Sequence, residues 1–362
     1  MNKKYLDYLN TIHGKILLGC DGFVDETYEI VEERKSQTDF STMQNLRMFG
    51  ELLVERADGG VGVELVPKRR CEGGFGVNTA RLAGVLGLNP VLPGLYGKNE
   101  IDPAFDEFKD SCRLYSLGDP ALTIALEFND GKVLMSNLEA VSNLTWDDFE
   151  EFFGPEKLHE MFSGVDILGL GYWSLTADFD NLFKGFMKQY ESLEPPRRMF
   201  FDFADIKKKS SESFMESLQL ITSYNAKIPM TLSLNEHEVF ELFSRTGIEC
   251  SDRSPASVAT ALTTARQKIG FDELIVHTPE FAAASSTDDG EAHALQERQT
   301  EVVRSAGAGD SFNGGYICAS LGEIPIKERL VIANAATAYF VTHAAAPTKE
   351  ALVTQIEKAR DH

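Results

Sequence analysis

The 362-residue chain is 43% hydrophobic, enough apolar material for a large core, built as one big α/β unit or two modest ones. Its 56 acidic against 35 basic residues give a net charge of −21, which repels nucleic acid and anionic membranes, so neither is expected as a partner. There is no 18-residue apolar run, no apolar leader and no C-x-x-C among the five scattered cysteines, so a protein of the reducing cytoplasm is expected.

In chain order, a short polar helix precedes residues 15–20 (K-I-L-L-G-C), a brief apolar run suited to a buried strand. It delivers D-G-F-V-D at its C-terminal end, where ligands bind in open α/β sheets. Asp21 and Asp25, four apart, can accept hydrogen bonds from sugar hydroxyls; an ordinary Asp/Gly loop is the competing reading. Residues 40–55 have helical spacing, with Met43, Leu46, Phe49, Leu52 and Leu53 on one side, between candidate strands at 29–33 and 62–67. Next, C-E-G-G-F-G-V-N-T-A-R-L-A-G-V-L-G reads as a turn in which Gly73 and Gly74 permit close backbone approach. A helix follows, with Asn78 in its first turn and Gly87 closing it. A dinucleotide fingerprint is the rival there, but Thr79 stands at its third glycine position.

Residues 121–128 and 132–136 are strands joined by N-D-G, a hairpin turn. Apolar runs at 165–170, 199–203 and 230–234 are further buried strands, and the lysines at 207–209 form a solvated run. After the strand at 230–234, Asn235 is a helix N-cap, and Glu238 completes a capping pattern. His237 reads as a surface residue. Residues 274–284 contain H-T-P-E-F-A, and 326–346 form an Ala-rich helix carrying Asn334.

Residues 302–321 (V-V-R-S-A-G-A-G-D-S-F-N-G-G-Y-I-C-A-S-L) carry the most chemistry. They read as a short strand, a turn of the smallest residues and a helix. Gly307, Ala308 and Gly309 bring backbone N–H groups to a helix N-terminus, a ready phosphate site. Asp310, in the first turn, is placed to deprotonate a hydroxyl while a phosphoryl group is transferred. A Gly-rich turn beside an ordinary acidic helix start is the bland alternative.

S-A-G-A-G-D-S-F-N-G-G resembles the C-terminal signature of the ribokinase-like (PfkB) carbohydrate kinases, and G-G-F-G-V-N-T-A resembles their N-terminal one. The resemblance implies a three-layer α/β/α fold over residues 1–362 with a mainly parallel central sheet. It also implies a small β lid from about 26–70 and 120–138, either paired across a homodimer or closing over substrate. On its terms Asp25, Gly73, Gly74 and Asn78 bind a sugar, with Asp21 where relatives often carry another polar residue. Asp310 is the general base. Asn235 and Glu238 (N-x-x-E) organise Mg²⁺ through water. Thr278 and Asn334 contact the nucleotide, and one of the lysines at 207–209 reaches a phosphate.

The usual G-x-D after the N-terminal signature is G-K-N-E here. Thr278 keeps the family threonine but loses both following glycines, and H-T-x-x-F-A is similar to ADP-dependent members, as is a helix within 40–55. ATP is the preferred donor, with ADP open. Arg304 replaces an acidic residue of the family's monovalent-cation loop. Either its guanidinium stands in for the cation, giving K⁺-independent activity, or it is an exposed arginine at a strand end. A nucleoside kinase of the same fold and a non-catalytic sugar-binding relative are the alternative functions.

Overall fold

In the computed structural model, residues 3–296 and 298–360 are described, and the side chain of residue 360 is left aside. The first strands are β1 (Ile16–Gly19), β2 (Phe23–Arg34), β3 (Phe40–Thr42), β4 (Leu65–Gly73), β5 (Val91–Gly94), β6 (Arg113–Ser116), β7 (Ala121–Phe128) and β8 (Gly131–Asn137). The remainder are β9 (Ile167–Leu170), β10 (Arg198–Asp202), β11 (Met230–Asn235), β12 (Glu273–His277), β13 (Phe281–Ser286) and β14 (Gly290–Leu295).

The fold is α/β, with a nine-stranded sheet in the order β14-β13-β12-β11-β10-β9-β1-β5-β6. From β12 to β6 the strands are parallel, and an antiparallel hairpin, β13–β14, finishes one edge. Parallel strands linked by helical crossovers are covered on both faces, which is why these short strands are apolar at nearly every position. Leu17, Leu168, Phe201 and Leu232 face one helical layer, dominated by the aromatic cluster of Trp146, Phe149, Phe162 and Phe186. Ile16, Leu18, Ile167 and Phe200 face the other, built from helices Phe75–Val85, Ala308–Ser320 and Ile326–His343. Layers of helix, sheet and helix result.

A second sheet stands over the carboxyl ends of the first. Only Cys20, Asp21 and Gly22 separate β1 from β2, its central strand. β2 pairs β4 antiparallel along one edge and, on the other, β7 in parallel and then β3 antiparallel further along, and β8 adds antiparallel to β7. The hairpin turn is the pair Asn129–Asp130, as the N-D-G motif predicts, and Asn129 Nδ2 donates to Gln44 Oε1 at 2.8 Å.

Two elements differ from the sequence expectation. The helical spacing over 40–55 divides into β3 and a helix, Leu46–Glu55, because Asn45 is extended and its side chain accepts from Met48 N–H. Residues 302–304 form no strand: the N–H groups of Val303 and Arg304 both donate to the Val341 carbonyl, which straps the segment onto a helix instead.

Candidate active site

The chain leaves β1 toward β5 and β6 on one side, then returns to place β9 on the other, so sheet order reverses at the β1/β9 boundary. Ligands bind outside the carboxyl ends of the strands at such a point. Five side chains stand at these ends: Asp21 after β1, Tyr172 after β9, and Asp202, Asn235 and His277 closing β10, β11 and β12.

The helix Ala308–Ser320 aims its N-terminus at the same place. Its cap, Gly307, has φ of +86°, a left-handed conformation that disfavours any side chain, and no side chain caps the helix. Ala308 N–H already donates to the Ser305 carbonyl at 3.1 Å. The anion donors left by the helix geometry are therefore Gly309 and Asp310, a narrower set than the whole 307–310 turn.

This turn separates two cavities. One, of about 390 Å³, lies under the second sheet and is lined by Asp25, Asn78, Thr123, Tyr172, Gly307 and Asp310 among others. The other, of about 480 Å³, is lined by Asn235, His277, Thr278, Ala308, Gly309 and Phe312 among others. Backbone alone stands between a polar compartment and a more apolar one.

Asp310 is 6% exposed. Tyr172 Oη donates to its carboxylate, 2.8 Å from Oδ1 and 3.0 Å from Oδ2, and Asn78 Nδ2 lies 3.4 Å from Oδ2. Burial pushes its carboxyl well above the ordinary range, and the charges of Asp202 and Asp21 push the same way. Nothing in the sequence around G-Y-W-S marks Tyr172. Its position just after a central strand is the only signal, and the sheet order is needed to read it.

On the polar side, Asp25 lies where Gly73 has no side chain: a Cβ there would fall 2.9 Å from the carboxylate. Thr123 hydrogen-bonds Asp25, whose carboxyl burial nevertheless pushes up. Gly74 has φ of +103°, and a Cβ there would meet Asp21 at 2.9 Å.

Asp21 is not part of this cavity. Its oxygens accept from the N–H groups of Phe75 at 2.7 Å and Gly76 at 3.0 Å, capping the helix Phe75–Val85, and it is 2% exposed. Charged hydrogen bonds of this kind are worth about 1.5–3 kcal/mol each. The expected sugar ligand is thus engaged by a helix terminus, and burial pushes its carboxyl up to about 6.

On the other side, Thr278 lines the cavity and also closes the β12–β13 turn, accepting from Glu280 and Phe281 N–H at 3.1 and 3.0 Å. His277, unremarked in the sequence, packs its ring 5.0 Å from that of Phe312 and against Gly309, where a Cβ would come within 2.9 Å of it. Burial lowers its pKa to about 4, so it is neutral. His237 lines this cavity too. Asn334 does not: its Nδ2 donates to the Ala294 carbonyl at 3.2 Å and faces an adjoining recess. Thr337 and Val341, about one and two turns further along the helix, reach the cavity in its place.

Asn235 and Glu238 form a reciprocal capping box, with Asn235 N–H donating to Glu238 Oε2 at 2.8 Å and Glu238 N–H to Asn235 Oδ1 at 3.0 Å. Burial pushes the Glu238 carboxyl up, and the Asp202 charge adds to it. Among the described residues no cluster of three His, Cys, Asp or Glu could hold a bare metal ion. Acids raised by burial and one another's charge are nevertheless the surroundings that favour Mg²⁺ arriving with its own water and phosphate ligands. The residues fit an outer-sphere Mg²⁺.

Of the lysine run, Lys208 lines the polar cavity, while Lys209 is half-buried: it donates to the Thr176 carbonyl at 2.9 Å and lies 4.5 Å over the Trp173 ring. Arg304 is not exposed either, at 7%. It pairs with Glu72 at 2.7 Å and donates through Nε to the Ala306 carbonyl at 3.1 Å. Glu72 in turn pairs with Arg81, so Arg304 ties the 305–307 turn to the end of β4 and lines neither cavity.

Comparisons with known proteins identify the chain's family. The sequence profile of the prokaryotic ketohexokinase family matches residues 9–358. A ketohexokinase of Haloferax volcanii is 27% identical over 343 residues, covering 94% of this chain and 90% of its own. The Arabidopsis thaliana ribokinase solved with ribose and ATP superposes with a TM-score of 0.64 at 16% identity, over 96% of this chain and 99% of that one. A nucleoside kinase of Methanocaldococcus jannaschii, an archaeal ribokinase-family member, gives 0.61 at 16% identity, over 96% and 99%. At such identities the structural likeness establishes the fold, and the full-length profile establishes membership. The chain belongs to the prokaryotic ketohexokinase family and has the fold of the ribokinases.

Proposed function

We propose that the protein is a cytoplasmic ketohexokinase that transfers the γ-phosphoryl group of ATP to a hydroxyl of a ketohexose. One observation carries this reading: a backbone turn with free N–H donors and a buried carboxylate separates a polar cavity from a more apolar one. The sugar binds under the second sheet, held by Asp25 and Asn78, with Gly73 and Gly74 giving the room. Asp310 takes the proton of the attacking hydroxyl as its oxygen bonds phosphorus, and the bond to the departing diphosphate breaks. The N–H groups of Gly309 and Asp310 receive charge from the transferring group.

The adenine side lies among Phe312, Thr337 and Val341, with Thr278 and the neutral His277 nearer the phosphates. Mg²⁺, when bound with ATP, neutralises phosphate charge; Asn235 and Glu238 orient its water from their capping box. The second sheet acts as a lid that excludes water, and its outer face, with Leu122 and Met135 exposed, is where two copies pair as a homodimer. The five cysteines, all free, suit a reducing compartment.

A coupled assay offering fructose, other ketohexoses, ribose, glucose and adenosine with ATP or ADP and Mg²⁺ tests the reading. Ketohexose phosphorylation by ATP, abolished in Asp310→Asn, is expected. A fully active Asp310→Asn overturns the base, preference for adenosine makes the protein a nucleoside kinase, and sugar binding without turnover makes it a non-catalytic relative.

A further inference from the structure

Asp310 has to be ionised to accept a proton, yet its surroundings oppose the charge. It is buried, and the groups facing it from neighbouring elements are themselves acidic: Asp202 from the end of β10 and Asp21 from between β1 and β2. His277, against the adjacent Gly309, is neutral, and Arg304 is engaged by Glu72. The hydrogen-bond donors that reach the carboxylate are Tyr172 at 2.8 Å and Asn78 at the longer 3.4 Å.

The Tyr172 ring is itself held. It meets Phe75 edge-on, with centroids 6.0 Å apart, and Phe75 is wholly buried on the helix that Asp21 caps. The Tyr172 carbonyl accepts from Leu175 N–H at 3.1 Å and Thr176 N–H at 3.2 Å, so the backbone after β9 is tied down as well. Its hydroxyl, pushed upward by burial and by the Asp310 charge, stays protonated and can only donate to the carboxylate.

We propose that Tyr172 is the positioning residue of the base: its hydroxyl fixes the rotamer of Asp310 and holds its negative charge in readiness for the acceptor's proton. The proposal rests on Asp310 being that base. The Tyr172 proton does not leave during turnover. Only the acceptor hydroxyl loses a proton, to Asp310. Because Tyr172 also lines the acceptor cavity, the entering hydroxyl joins a hydrogen-bond set already in place.

Tyr172→Phe removes one oxygen from a ring that stays packed on Phe75. A hydrogen bond to a charged group favours the ionised form, so its loss moves the acidic limb of the kcat/KM profile for the sugar to higher pH by about one unit. The loss is then about tenfold below the limb and shrinks as the pH rises above it. Installing 3-fluorotyrosine at position 172, a more acidic and stronger donor, moves the limb the other way. A limb that moves in neither variant, or a loss of equal size at every pH, overturns the proposal; if Tyr172→Phe does not fold, the fluorinated protein decides alone. Asp310→Asn in the same assay separates the two claims. Activity retained there removes the base itself, whereas an inactive Asp310→Asn with an unmoved limb removes only the role of Tyr172.

Discussion

The two cavities beside the 307–310 turn are built by different means. The acceptor side is polar and cross-braced: Asp25 sits in the space left by Gly73, Thr123 bonds it from the neighbouring strand, and Asn78 and Tyr172 converge on Asp310. The other side is more apolar, with Phe312, Val341 and a neutral His277, and the polar groups the sequence assigned to the nucleotide are engaged by the fold. Thr278 closes its own turn, Asn235 caps a helix, and Asn334 bonds the β14 backbone. A sugar must be oriented by specific hydroxyl contacts, whereas a nucleotide brings flat apolar and strongly charged parts that a surface and a helix terminus can hold.

The sharpest break in the contrast is Asp25→Asn. Loss of a charged hydrogen bond there is expected to lower kcat/KM for the sugar by about 10–100-fold with the KM for ATP unchanged, checked by varying each substrate in steady-state kinetics. Equal effects on both substrates would contradict separate compartments. Gly309→Ala should act on the other side, since the new Cβ arrives 2.9 Å from His277: a roughly tenfold loss in kcat/KM for ATP is expected. Asn334→Ala in the same series should leave the KM for ATP within about twofold, because its amide is bonded to the fold rather than turned to the cavity.

A smaller effect follows from charge. Glu238 is pushed up to about 9, by burial first and the Asp202 charge second. The folded chain therefore binds this proton where the unfolded chain has lost it, so stability falls as pH rises through that window. Below about pH 6.5 the lowered His277 works in the opposite sense, so the effect is read from about pH 6.5 to 9, where the raised Asp310 carboxyl acts in the same direction as Glu238. The melting temperature without ligands should drop by several degrees across it, and Glu238→Gln should flatten the slope. The smallest expected effect is none at all: with the Arg304 guanidinium holding the Ala306 carbonyl, replacing Na⁺ by K⁺ should leave the rate unchanged. A several-fold rise in K⁺ would show that the cation site survives.

The central strands β1, β9, β10 and β11 and the anion turn were legible because both rest on local patterns: short apolar runs, and three small residues before an acid; β5, β6, β13 and β14 were not. The β7–β8 hairpin was legible for the same reason, from N-D-G. What could not be read depends on which elements meet. Asp21 looks like a sugar ligand until a helix more than fifty residues later turns out to present its N-terminus to it. Tyr172 follows a strand with no motif around it and His277 ends one, and their placement appears only when β9 lies beside β1 and β12 closes the site. Arg304 reads equally as surface or device until Glu72 is found beside it.

Gly314 has one further consequence. A Cβ on it would come within 2.3 Å of the Thr79 carbonyl, so the helices Phe75–Val85 and Ala308–Ser320 touch backbone to backbone behind the site. One carries Asn78 and the other Asp310. Their separation is set by the covalent thickness of two peptide chains rather than by side chains that can turn. The pair forms one fixed wall beside the acceptor cavity, and the second sheet, joined to β1 by three residues, forms the facing wall. A larger acceptor is therefore expected to be accommodated on the side of the second sheet, where side chains such as Thr123 and Leu134 rather than backbone line the cavity.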